Sequence, residues 1–173
     1  MTQEFNEAKK WEALLRGTVL TSTTQKLFNF ISLADQKAQA MIILNSILVP
    51  ILFNWMDKPD YETGILIALG TALISIFFSI LCIYPKRRRG SKPDGTRNYL
   101  HFGDIGRIKE EQYLQEFMPI FNNFEKLSAE SVKDLHDMSR RIIIPKFFWL
   151  KMAYGVFFVG NLIAILCVLF LKV

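Results

Sequence analysis

The sequence predicts an all-α membrane protein, with three transmembrane helices and a helical cytoplasmic region. Three observations carry this. Apolar residues make up 51% of 173 residues, and mean hydropathy is +0.22. Three runs lack any Asp, Glu, Lys or Arg: Ala38–Met56, Gly64–Tyr84 and Met152–Leu171. A helix needs about 20 mostly apolar residues to cross a bilayer. Between these runs the apolar spacing is helical, and no segment reads as a strand.

The chain therefore divides into an N-terminal cytoplasmic helix (1–37), a two-span hairpin (38–84), a cytoplasmic basic linker with a helical region (85–151) and a third span (152–171). Leu27, Phe30, Ile31, Ala34 and Ala38 share one helical face, so the first helix should run directly into the first span. Upstream, Trp11, Leu14 and Leu15 read as a separate amphipathic turn. Pro50 should kink the first span, because it lacks a backbone donor. Asn45 is costly facing lipid and should face protein or water.

The second span carries small residues on one face: Gly64, Ala68, Ala72, Ser75 and Ser79. Such a stripe lets backbones approach closely, either against the other spans or against another subunit. Beyond a Pro- and Gly-containing linker, Pro85–Thr96, a helix is expected from about Asp104 to Phe121, N-capped by Asp104. Ser128 is expected to cap the next helix, with Val132, Leu135, Met138 and Ile142 on its apolar face. Pro145 predicts a kink just before the third span.

The net charge of +5 follows topology rather than nucleic-acid binding. The stretch 85–151 has fourteen Lys and Arg against nine acids, while the turn Asp57–Thr63 has one Lys against three acids. Positive loops stay inside, so the N terminus is expected in the cytoplasm and the C terminus in the periplasm. Lys86, Arg87, Arg88 and Arg89 directly follow the second span and read as an anchor near anionic lipid. Cys82 and Cys167 fall within spans and read as small apolar residues. No cleavable signal is visible, and the first span would direct insertion.

Catalytic spacing is missing. There is no Gly-rich phosphate loop, nucleophile elbow or metal-ligand cluster, so neither an enzyme nor a metal site is expected. Asp134, His136, Asp137, Arg140 and Arg141 read as a solvated helix face. Two strings stand out. Leu33-Ala34-Asp35-Gln36-Lys37-Ala38 sets Asp35 and Lys37 beside the first span. Asn98-Tyr99-Leu100-His101-Phe102-Gly103-Asp104-Ile105 alternates aromatic and polar residues.

These strings, the spans between them, the basic loop, and Lys146, Leu150 and Lys151 before the last span occur in one order. In that order the chain resembles the Pycsar effector family of bacterial membrane proteins, the transmembrane type called PycTM, from about Phe28 to Leu171. The resemblance implies an inner-membrane effector that works beside a pyrimidine nucleotide cyclase. The cyclase's product, cyclic CMP or cyclic UMP, would trigger loss of membrane integrity and death of the phage-infected cell. No β-roll with an Arg-containing phosphate cassette is visible, so a nucleotide pocket would be helical and shared between subunits of a homo-oligomer. For that ligand, Arg97 or another basic residue would meet the phosphate. Tyr99 or Phe102 would stack on the base, Asn98 or His101 would read its edge, and Asp104 completes the string. No cofactor and no nucleic-acid partner is expected. The rival reading is a constitutive membrane scaffold or transport accessory without a nucleotide ligand.

Overall fold

The computed structural model describes residues 2–58, 61–84 and 97–170. The Pro85–Thr96 linker with its basic cluster, and the last residue of the expected third span, Leu171, lie outside them, as does the side chain of Phe102. The described residues form helices and turns, with no strand. In chain order they are α1 (Thr2–Asn54), α2 (Glu62–Ile83), α3 (Phe102–Ile105), α4 (Glu110–Phe121), α5 (Phe124–Met138), a π-helical turn (Ser139–Ile143) and α6 (Ile144–Phe170). Three helices, α1, α2 and the stretch running from α5 into α6, are long and apolar enough to cross a membrane.

Local sequence explains most boundaries, and several differ from expectation. α1 is continuous through Trp11, Leu14 and Leu15, so no separate turn precedes it. It also continues through Pro50 before tightening into i→i+3 bonds at Trp55 and Met56. The helix expected from Asp104 is two elements. A single turn, α3, ends at Ile105, and α4 starts only at Glu110. Asp104 lies inside α3, where its carboxylate accepts from the Asn98 backbone N–H across 3.0 Å instead of capping a long helix. α5 starts four residues before Ser128, because the Asn123 side chain accepts from the Lys126 N–H and caps it there.

Pro145 has no N–H, and its ring crowds the carbonyl four residues earlier. The chain accommodates this with the π-helical turn immediately before α6, which takes up the misfit without ending the helix.

The molecule comprises two compact units. One takes Met1–Asn29 and Lys86–Ile142; the other takes Phe30–Pro85 and Ile143–Val173. In the second, the contact pairs fix the helix directions. Asn45 meets Ser75, and Ala34 meets Cys82, so α1 and α2 are antiparallel. Ser75 meets Ala153 and Cys82 meets Lys146, so α2 and α6 are antiparallel too. The core at one end is Ala34, Ala38, Cys82 and Leu150, with Ile83, Phe147 and Trp149 packed on it. Phe78 stacks on Trp149 with ring centroids 5.7 Å apart. Away from these seams Ile47, Leu73, Phe77, Phe158 and Leu169 are exposed, as a lipid-facing surface requires.

Candidate functional site

The small-residue stripe of α2 is buried within the chain. Gly64, Ala68, Ala72, Ser75 and Ser79 all face inward. A Cβ on Gly64 would run into the Val168 side chain and lie 3.0 Å from the Ala164 carbonyl oxygen. A Cβ on Gly160 would collide with Thr71. The α2 and α6 backbones therefore approach closely because glycine stands at both places. In this conformation the stripe is used inside one chain rather than offered to a second.

Two polar nodes join the three span helices. Midway, the Asn45 Nδ2 donates to the Met41 carbonyl at 2.8 Å and to the Ser75 hydroxyl at 3.2 Å. Ser75 passes its own proton to the Ala153 carbonyl at 3.1 Å. That donation fixes Ser75 as the acceptor from Asn45, which fixes the orientation of the amide. Asn45 Oδ1 is fully buried without a hydrogen-bond partner among the described residues.

The second node uses Asp35. The Lys146 ammonium pairs with the Asp35 carboxylate and also donates to the Cys82 carbonyl at 3.1 Å. Cys82 stands in the last turn of α2, where carbonyls lack partners within the helix. A cation there also complements the helix dipole. The Cys82 thiol donates back to the Lys146 carbonyl at 3.3 Å. Lys37, the other charged residue of that string, is exposed.

The second string builds a clasp in the other unit, centred on Glu116, which the sequence reading did not single out. Glu116 accepts from Arg97 Nη1 at 3.0 and 3.2 Å, from the Tyr99 hydroxyl at 3.1 Å and from Gln112 at 2.9 Å. The Gln112 bond, the Tyr99 bond and the Arg97 charge together hold the Glu116 carboxyl below the usual glutamate range. Burial and the bond to Glu116 raise the Tyr99 phenol above its ordinary value.

Asn98 is buried. Its Nδ2 donates to Asp134 at 2.8 Å, and its Oδ1 accepts from the Leu100 N–H in an Asx turn. The Tyr113 hydroxyl donates to the Tyr99 carbonyl, and the Tyr113 ring stacks on Phe117 at 5.2 Å. His101 accepts from the Gly103 N–H at 3.1 Å, and a Cβ on Gly103 would press on that imidazole. Asp134 and Asp137 thus depart from the solvated face expected of them. Asp134 holds Asn98, and Asp137 is buried, 3.4 Å from the Arg141 guanidinium.

The structure therefore brings Arg97, Asn98, Tyr99, His101 and Asp104 into one cluster, but each already holds a partner within the cluster, at the Gly103 N–H, or on α4 or α5. The cavity beside them, lined by Arg97, Asp104, Arg107, Ile108 and Gln112, measures about 130 Å³. Small-molecule pockets are ordinarily about 300–1,000 Å³. The partners that complete the clasp were hard to read from sequence. Only the i,i+4 spacing of Gln112 and Glu116 and the opposite charges of Arg97 and Glu116 signalled them.

Three membrane-capable helices, polar nodes between them, and a helical unit with no strand among its described residues define a class: an all-α membrane protein. Within that class the chain matches the Pycsar effector protein domain, PycTM, over residues 19–172, and it belongs to that family. It is thus a Pycsar transmembrane effector of antiphage defence. No curated protein and no solved structure matches the chain.

Proposed function

We propose that the protein is a non-enzymatic effector, activated by a cyclic pyrimidine nucleotide, that impairs the inner membrane and ends the infected cell. Family membership across residues 19–172 is the observation that carries this reading. A pyrimidine nucleotide cyclase would supply cyclic CMP or cyclic UMP. The N terminus would lie in the cytoplasm and the C terminus in the periplasm, as the Lys and Arg distribution favours.

Ligand bound to the polar unit shifts the spans only if it prefers the active arrangement over the resting one. Two continuous connections favour such a shift: α1 contributes to both units, and α5 passes through the π-helical turn into α6. Three helices are too few to surround a wide aqueous path, so the active species is a homo-oligomer. Activation would then involve repacking the α2 stripe, which is buried at rest.

Co-expression with an active or an inactive cyclase tests the reading. Membrane-impermeant dye should enter only cells holding both the active cyclase and the effector. Equal uptake with the inactive cyclase would refute nucleotide triggering. Ala72 is 2% exposed within the bundle, so Ala72→Leu should reduce ligand-triggered uptake by disturbing the resting and active packing alike.

A further inference from the structure

A second cavity lies in the polar unit, between α1 and the start of α5. It measures about 570 Å³ and is lined by Leu15, Arg16, Val19, Leu20, Phe124, Glu125, Ser128 and Val132. Its size falls within the range for small-molecule sites, unlike the cavity beside the Glu116 clasp. The walls are mostly apolar, yet four different chemistries meet there.

Arg16 supplies a cation. Its one ion pair among the described residues is a 3.5 Å contact to Glu12, with both side chains about two-thirds exposed (66% and 65%). Such a pair is weak and easily exchanged for a phosphate. Phe124 is 55% exposed and offers a ring face. Among the described residues the Glu125 carboxylate and the Ser128 hydroxyl have no hydrogen-bond partner. Leu15, Val19 and Val132 are exposed apolar groups that a flat base or a ribose edge would cover.

We propose that this groove is the nucleotide site, and that it takes a cytosine nucleotide in preference to a uracil one. The proposal rests on the effector reading above and adds where the ligand binds and how its base is chosen. Arg16 meets the single phosphate charge, Phe124 stacks on the base, and Ser128 meets the ribose. Glu125 sets the preference. A carboxylate only accepts hydrogen bonds, and cytosine presents an amino donor where uracil presents a carbonyl acceptor. Cytosine would satisfy Glu125, whereas uracil would set two acceptors against each other.

Equilibrium binding of cyclic CMP and cyclic UMP to the detergent-purified full chain tests this, alongside Arg16→Gln, Phe124→Ala and Glu125→Gln. These side chains are exposed, and unchanged helical circular dichroism confirms that each variant folds. Wild type should bind cyclic CMP more tightly than cyclic UMP. Phe124→Ala should weaken both by about tenfold or more, through lost stacking. Arg16→Gln should weaken both by about tenfold, through the lost phosphate contact. Glu125→Gln should bring the two affinities close together, because an amide can donate to uracil. Wild-type affinity in all three variants would overturn the groove while leaving the effector reading intact. A wild-type protein that binds neither nucleotide would overturn both.

Discussion

The two units hold themselves together differently, although each uses an ion pair between distant segments. In the helical bundle, Lys146 is 12% exposed, and its pair with Asp35 also satisfies a helix-terminal carbonyl. In the polar unit, Arg97 and Glu116 are each about one-third exposed (35% and 33%), and Glu116 shares its oxygens with Tyr99 and Gln112. Similar chemistry therefore carries different weight. Water can replace a lost partner at Glu116 but has little access to Lys146. The bundle depends on a few desolvated contacts and on glycines that admit a neighbouring helix, while Glu116 in the clasp spreads its hold over several partly exposed bonds.

The strongest challenge to that contrast is Lys146→Met. It removes both the Asp35 pair and the bond to the Cys82 carbonyl, and should cost about 1.5–3 kcal/mol of bundle stability. Unfolding in mixed detergent measures it. A cost as small as that of an exposed pair, about 0.2–1 kcal/mol, would remove the distinction between the two units.

Glycine tests the packing half of the comparison. Gly160→Ala should destabilise by about 1–3 kcal/mol, because the new methyl meets buried Thr71. Gly155 lies five residues away in the same helix with open space around it. Gly155→Ala should be neutral or stabilising, by up to about 1 kcal/mol. Equal shifts in the thermal midpoints of the two variants would refute the close approach of α2 and α6.

Ser75→Ala should have a smaller effect, about 0.6–1.7 kcal/mol, the range for hydrogen bonds between membrane helices. It removes the donor to Ala153 and the acceptor for Asn45. The same unfolding assay should rank it below Lys146→Met.

The smallest effect is the pH response of the clasp. The Glu116 carboxyl is held below its ordinary value of 4.5, so the unfolded chain binds the proton more readily. Its contribution is present above pH 4.5 and is lost as pH falls through the lower folded value. The Tyr99 phenol is raised above 10.0, so its contribution is present below that pH and is lost as pH rises through the higher folded value. Carboxyl-carbon NMR of Glu116 should show a titration midpoint below 4.5. A midpoint at or above that value would contradict the hydrogen-bonded geometry.

Much of this architecture was legible in the sequence. Uncharged runs located three spans because hydrocarbon excludes ionised groups over a fixed thickness. The alternating string 98–105 stood out, and Asn45, expected to face protein or water, is buried. Pairing was less legible. Asp35 and Lys146 are 111 residues apart, and Asn98 and Asp134 are 36 apart, so no helical period connects them. Local capping competed as well. Asn123 begins α5 ahead of Ser128, and after α3 the chain passes into i→i+3 turns, from the Arg107 N–H to Asp104 and from the Ile108 N–H to Ile105. The groove of Arg16, Phe124 and Glu125 joins segments over 100 residues apart and has no signature in the linear chain.

Conversion of this bundle into a membrane lesion by a cyclic pyrimidine nucleotide, as proposed above, can be watched with purified components. The most direct test is dye release from liposomes of bacterial lipid holding the purified full chain, with nucleotide added to the face bearing the N terminus. Cyclic CMP should release dye at concentrations that saturate binding, cyclic UMP should release less, and cyclic AMP should release none. Intact liposomes under saturating cyclic CMP and cyclic UMP, with the protein folded and inserted, would contradict the account.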